Sequence, residues 1–311
     1  MKRRIKRLIS LPLLLMALIM AIVPVVSAAA APPEYIITTI NVPTGAPNGL
    51  YGINPSGDVV GVLLPAGPGF TLINSKYETY TYPGAWGTSL IGIGPSGEIV
   101  GDYAGPGYST TYYHWHGFMV TKEGETIDID DGIHDTLVPF RVLPDGTIIG
   151  HVQLDPAINS TRHGFVMHPD GSFEYNETMP LSQHNSATPD GRIIVGSYLN
   201  GSKFCGYVLE NGNLTTTFDI PGSSMTLAWD VNPAGNVVVG YYTIGSYPWP
   251  AVHGYIAEKR GNGSWNITDF DVPEATWTFI QGISPGGELA GRYKDKSGVV
   301  HGFIASPNNR K

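Results

Sequence analysis

The chain has 311 residues, 26 Asp and Glu against 18 Lys and Arg, a formal charge of −8 and one cysteine. An acidic balance argues against a nucleic-acid partner, since phosphate binding needs a basic face. A single thiol excludes an intramolecular disulfide, so a continuous hydrophobic core must hold the fold.

The N-terminus carries Lys2, Arg3, Arg4, Lys6 and Arg7, an apolar run from Leu8 to Val26, and small residues from Ser27 to Ala31. A basic segment, an apolar core and an A-x-A-like site describe a signal peptide over residues 1–28, with a retained anchor as the alternative. Cleavage removes five of the 18 basic residues and leaves 13 against 26 acids, a formal −13. Residues 29–34 then read as a short linker, 35–306 as the folded region and 307–311 as a C-terminal tail. The expected location is extracellular or cell-surface, with no membrane span after cleavage.

Next comes an isolated strand, Thr38-Thr39-Ile40-Asn41-Val42-Pro43, followed by a phrase that recurs six times. Its first copy is Ile53-Asn54-Pro55-Ser56-Gly57-Asp58-Val59-Val60-Gly61. The prolines of the six copies are Pro55, Pro95, Pro144, Pro189, Pro233 and Pro285, spaced by 40 to 52 residues. Pro sets φ at the second position of a tight turn and Gly accepts the conformation other residues resist, so each phrase is a hairpin between strands a and b. A second phrase opens strand c: His116-Gly117-Phe118, His163-Gly164-Phe165, Cys205-Gly206-Tyr207, His253-Gly254-Tyr255 and His301-Gly302-Phe303, with Gly69-Phe70 as a degenerate copy. A polar turn and strand d complete each unit.

A period in the forties with four strands per unit predicts an all-β fold, a six-bladed β-propeller of four-stranded blades. The last unit stops after strand c, and the isolated first strand matches the strand d segment Thr216–Pro221. The N-terminal strand is therefore expected to pair into the last blade and close the ring. These phrases resemble the extracellular HAF-repeat family, in which a Gly-Ile-Asn-x-x-Gly-x-Val-Val-Gly phrase precedes a His-Ala-Phe phrase. Gly52 to Gly61 fits the first; Gly replaces Ala throughout the second. The resemblance implies a secreted repeat protein and carries no catalytic residues with it.

Candidate sites follow from what departs from the repeat. The repeated histidines occupy matching places and read as structural parts bonded within their own blade. Asp128, Asp130, Asp131 and Asp135 cluster around Gly132, hard oxygen ligands of the kind that hold calcium. No cofactor is expected otherwise. The b–c loops at 103–115 and 241–249 are aromatic-rich, and Tyr108, Tyr112, Tyr113, Trp115, Tyr247 and Trp249 are the expected ligand-binding residues, suited to stacking on sugars or gripping a peptide. The d–a segments add Trp86, Trp229 and Trp277 at nearly matching places, which read as blade packing. No catalytic motif is present. The expectation is a monomeric binding module for extracellular carbohydrate or protein; a propeller enzyme (glycoside hydrolase or lyase) and a structural matrix component are the alternatives.

Overall fold

The computed structural model describes residues 34–65, 67–105, 114–153, 162–246 and 250–308. The signal-peptide reading falls outside them. After β1 (Tyr35–Ile40) come β2–β5 (Asn48–Ile53, Val59–Leu63, Gly69–Ile73, Lys76–Tyr80) and β6–β9 (Gly87–Ile93, Ile99–Ala104, His116–Val120, Thr126–Ile129). These are followed by β10–β13 (Thr136–Val142, Ile148–Gln153, Arg162–Met167, Phe173–Tyr175) and β14–β17 (Gln183–Ala187, Ile193–Asn200, Lys203–Glu210, Asn213–Phe218). The last are β18–β21 (Met225–Val231, Val237–Ile244, Ala251–Lys259, Trp265–Phe270) and β22–β24 (Trp277–Ile283, Leu289–Lys294, Val300–Pro307).

The expectation of six separate four-stranded blades in a closed ring is corrected by the sheet topology. Four sheets have four strands each, and the remaining strands form one eight-stranded mixed sheet in the order β1-β24-β23-β22-β20-β19-β18, with β21 on β20. The join is a single parallel pair, Val252 with Trp277. There β20, which begins two residues before its repeat histidine, meets the first residue of β22. Within this sheet β1 runs antiparallel to β24, from Tyr35 opposite Pro307 to Ile40 opposite Gly302.

Each a–b turn is built alike. Gly57 donates its N–H to the Asn54 carbonyl at 3.0 Å, and equivalent bonds close the other five turns. Gly57 has φ +82°, the left-handed residue that follows a type I turn in a bulged hairpin. Beyond the turn, every strand a carries a bulge, with Tyr51, Ile91, Phe140, Asn185, Trp229 and Gln281 as the extra residues. Opposite the bulge sits the repeat Gly of strand b. A Cβ at Gly61 would lie 2.1 Å from the Gly49 carbonyl oxygen and 3.0 Å from the Phe70 ring. The aromatic of each strand c (Phe70, Phe118, Phe165, Tyr207, Tyr255, Phe303) is fully buried against that glycine. The three repeat elements are thus one packing unit: bulge, glycine, ring.

The residues after the bulge meet on the turn side. The Arg141 guanidinium donates to Asp230 at 2.6 Å, and Asp230 also accepts from the Ser186 hydroxyl at 2.5 Å and from the Ile283 and Val231 N–H groups at 2.8 Å. The equivalent residues elsewhere are Gly52, Gly92 and Gly282, and a Cβ at Gly52 would come within 3.1 Å of the Arg141 guanidinium. A buried pair so fully hydrogen-bonded is stable while both members remain; removal of one leaves an uncompensated charge, at a cost of about 3–5 kcal/mol. All six turn prolines line one small cavity of about 80 Å³ over this network.

Candidate functional site

Strands a and c run in the same direction, so the d–a and b–c loops share the end opposite the tight turns. Of the expected ligand-binding residues, Tyr108, Tyr112, Tyr113, Tyr247 and Trp249 lie outside the described residues. Trp115 is half-buried, packed with Tyr51 and Trp229 on the cluster of Ile91, Val138 and Phe140, and its carbonyl accepts the Leu137 N–H at 2.9 Å. Trp86, Trp229 and Trp277 do not hold matching places. Trp277 opens strand a, Trp229 is the bulge residue of its own, and Trp86 precedes β6 and is 60% exposed.

The acidic cluster is occupied by protein donors. Asp131 accepts from the Ile133 and His134 N–H groups at 2.9 Å and from the Tyr175 hydroxyl at 2.9 Å, and its second oxygen faces His134 Nδ1 at 2.6 Å. Burial would raise its carboxyl, yet these donors hold it below the usual range. Asp130 accepts from the Gly132 N–H, Asp128 from the Tyr82 hydroxyl, and Asp135 is exposed. Among the described residues no three metal-binding side chains come together.

The repeat histidines act within their own units. His163 Nδ1 lies 3.2 Å from the Asn176 carbonyl, His253 Nδ1 2.7 Å from Asp271 and His301 Nε2 2.9 Å from Asp295. Each pairs across the sheet with a residue of strand b, a tyrosine in three units: Tyr103–His116, Tyr242–His253 and Tyr293–His301, with ring centroids 5.2–5.3 Å apart. Cys205 holds the same place opposite Tyr198 and is buried.

A different set of residues gathers on the loop side of the Arg141–Asp230 network. The residue after the repeat Gly on strand b is Val62, Asp102, His151, Ser197, Tyr241 or Arg292 in the six units, facing Gly49, Ser89, Val138, Gln183, Leu227 or Phe279. Four of these carry a buried polar atom without a hydrogen-bond partner: Asp102 Oδ1, His151 Nδ1, Ser197 Oγ and Arg292 Nε. Burial pushes the Asp102 carboxyl up to about 7 against the hydrogen bond from Ser89, and burial pushes His151 down to about 3 with help from Arg162. Burial raises the Tyr241 phenol to about 12, against the pull of Arg292 and Arg162, so both guanidinium groups act on one hydroxyl. Arg292 lies over the Phe279 ring at 4.8 Å and the Tyr51 ring at 5.1 Å and donates to the Tyr51 hydroxyl at 2.7 Å. Tyr241 meets Phe279 edge-on at 4.6 Å, and Trp229 meets Phe140 at 5.7 Å.

The sequence reading missed Arg162, Arg292, Tyr51 and Phe279. For Arg292 a usable signal was present: the position after the repeat Gly differs in all six copies, whereas the glycine and the strand c ring recur.

No family model matches the chain, and no curated protein matches it. Solved structures do. A gluconolactonase from Xanthomonas campestris aligns with TM-score 0.54 at 12% identity, covering 88% of this chain and 89% of that one. The PQQ-bound form of an aldose sugar dehydrogenase from Streptomyces coelicolor aligns with TM-score 0.53 at 12% identity, covering 89% and 99%. TolB from Acinetobacter baumannii aligns with TM-score 0.49 at 13% identity over 84% of this chain, which spans 64% of that chain's length. Identities this low speak to architecture alone, and on the gluconolactonase and aldose sugar dehydrogenase alignments this chain has a β-propeller-like fold of repeated strands.

Proposed function

We propose that this protein is an exported, monomeric binding module of the HAF-repeat kind, which engages extracellular carbohydrate or protein through its loop-bearing end without catalysis. The observation that carries the reading is the asymmetry of the two ends. Tight turns and a satisfied buried ion pair occupy one end. The other gathers partly exposed rings, Tyr51, Trp229, Tyr241, Trp277 and Phe279, among variable loops. Flat rings beside polar groups favour sugar faces and peptide side chains. Among the described residues no helix is long and apolar enough to cross a membrane.

The test is a thermal-shift screen of the chain lacking residues 1–28 against neutral and acidic oligosaccharides. A ligand that binds only the folded state raises the melting temperature. The reading expects a rise that Trp277→Ala removes. No rise with any saccharide rejects carbohydrate as the ligand.

An enzymatic reading has one observation in its favour, the Asp102 carboxyl held near neutrality in a buried place. Its bonded partner is Ser89 rather than a second carboxylate, and glycoside cleavage by paired acids needs two.

A further inference from the structure

Eleven lysines and arginines are described, and seven have a carboxylate within ion-pair distance. The remaining four are Arg162, Arg260, Arg292 and Lys294. Arg260 bonds Asn266 on the surface. The other three lie on the loop side, in a protein whose acids outnumber its bases. Unpaired cations are costly where solvent is partly excluded.

Arg292 and Lys294 are two residues apart on β23 and so share one face of the sheet. Their partners across the ladder, Phe279 and Trp277, share that face too. The result is a double cation–ring ladder: Lys294 Nζ is 4.6 Å from the Trp277 ring centre, and the Arg292 guanidinium 4.8 Å from that of Phe279. Beside it opens a cleft of about 430 Å³, lined by Pro250, Ala251, Val252, Thr276, Trp277, Phe279 and Lys294. The cleft therefore offers an apolar wall of ring and proline with Lys294 at its edge, Arg292 one rung further along the same strand face, and no acid among the described residues in ion-pair distance of either.

Resting on the carbohydrate-binding reading above, we infer that this cleft receives an acidic saccharide, its carboxylate held by Lys294 and Arg292 and the C–H face of its ring laid on Trp277 and Pro250. Arginine presents paired N–H donors that match a carboxylate, and a charge-assisted bond of this kind is worth roughly tenfold in affinity or more. A neutral sugar gains only the apolar wall.

Calorimetric titration of the folded chain with a trigalacturonate, and with a neutral trigalactoside as control, tests the inference. Uronate binding is expected to weaken at least about tenfold in Lys294→Met, which keeps the apolar stem, and to weaken with added salt. Arg292→Gln is expected to act likewise; should it not fold, Lys294→Met alone decides. Uronate binding that Lys294→Met leaves unchanged overturns the inference. Equal binding of the two saccharides also overturns it, and leaves the carbohydrate reading standing. Binding of neither overturns the inference and leaves the carbohydrate reading to the oligosaccharide screen above.

Discussion

His151 and His184 are imidazoles that the fold keeps neutral. Burial lowers His151 to about 3 and His184 to about 4, where the latter's Nδ1 is bonded to the Tyr207 hydroxyl. The unfolded chain takes up a proton on each near pH 6.5 and the folded chain does not, so these residues lose stability as pH falls from 7 towards 4. Asp102 acts in the opposite sense. Its carboxyl, raised to about 7, keeps a proton that the unfolded chain releases near 3.8, so its contribution grows as pH falls through 7. Between pH 7 and 5 each group is worth about 2 kcal/mol by linkage, leaving a net loss of about 1–2 kcal/mol. Urea midpoints at the two pH values check this. Asp102→Asn is expected to deepen the fall, and His151→Gln to abolish it; an unchanged fall in both variants would mean that neither group titrates away from its ordinary value.

At the scale of the strand, the unit of construction is the bulge of strand a, the glycine of strand b and the ring of strand c. A Cβ at Gly240 would lie 2.0 Å from the Leu227 carbonyl oxygen and 3.0 Å from the Tyr255 ring. Backbone cannot yield there as a flexible side chain would, so Gly240→Ala is expected to destabilise by about 3 kcal/mol. The turn glycine Gly57 has open space around it and only its positive φ to defend. Gly57→Ala is expected to cost about 1–2 kcal/mol. Comparison of the two denaturation midpoints separates the mechanisms; equal losses would show that the contact at Gly240 relaxes. The repeat phrases were legible because they encode this local unit, each with its own turn bond and ring. The positions between them were not. Arg292 and Asp102 follow the same glycine in different copies, and nothing local says that one will lie over Phe279 and the other beside Ser89.

For the whole molecule, the first and last strands form a long-range element. Ile36 to Ile40 pair with Gly302 to Ser306, and the Asn48 side chain accepts the Gly302 N–H at 3.1 Å while donating to the Ile40 carbonyl at 3.1 Å. Tyr35 and Ile37 pack on the core of the last unit, and Ile40 and Val42 on that of the first. A chain beginning at Pro43 would expose an edge of β24 and these apolar faces. It is expected to be less stable than the chain beginning at Ala29 by several kcal/mol, to melt at a lower temperature and to self-associate. Equal melting temperatures would overturn this role for β1.

The sequence by itself determined the all-β class, the six hairpins and their turn chemistry, and the pairing of the isolated first strand with the chain's end. Each follows from spacing two to nine residues apart or from likeness between copies. Tertiary structure alone decided the rest. A single parallel pair between β20 and β22 merges two units into one sheet, which no repeat phrase announces. Arg141, Ser186 and Asp230 come from three units and become a network only when their strands converge. Lys294 and Arg292 look like ordinary surface charges until the fold leaves no acid among the described residues within ion-pair distance of them, because charge pairing depends on distance in space and not on separation along the chain.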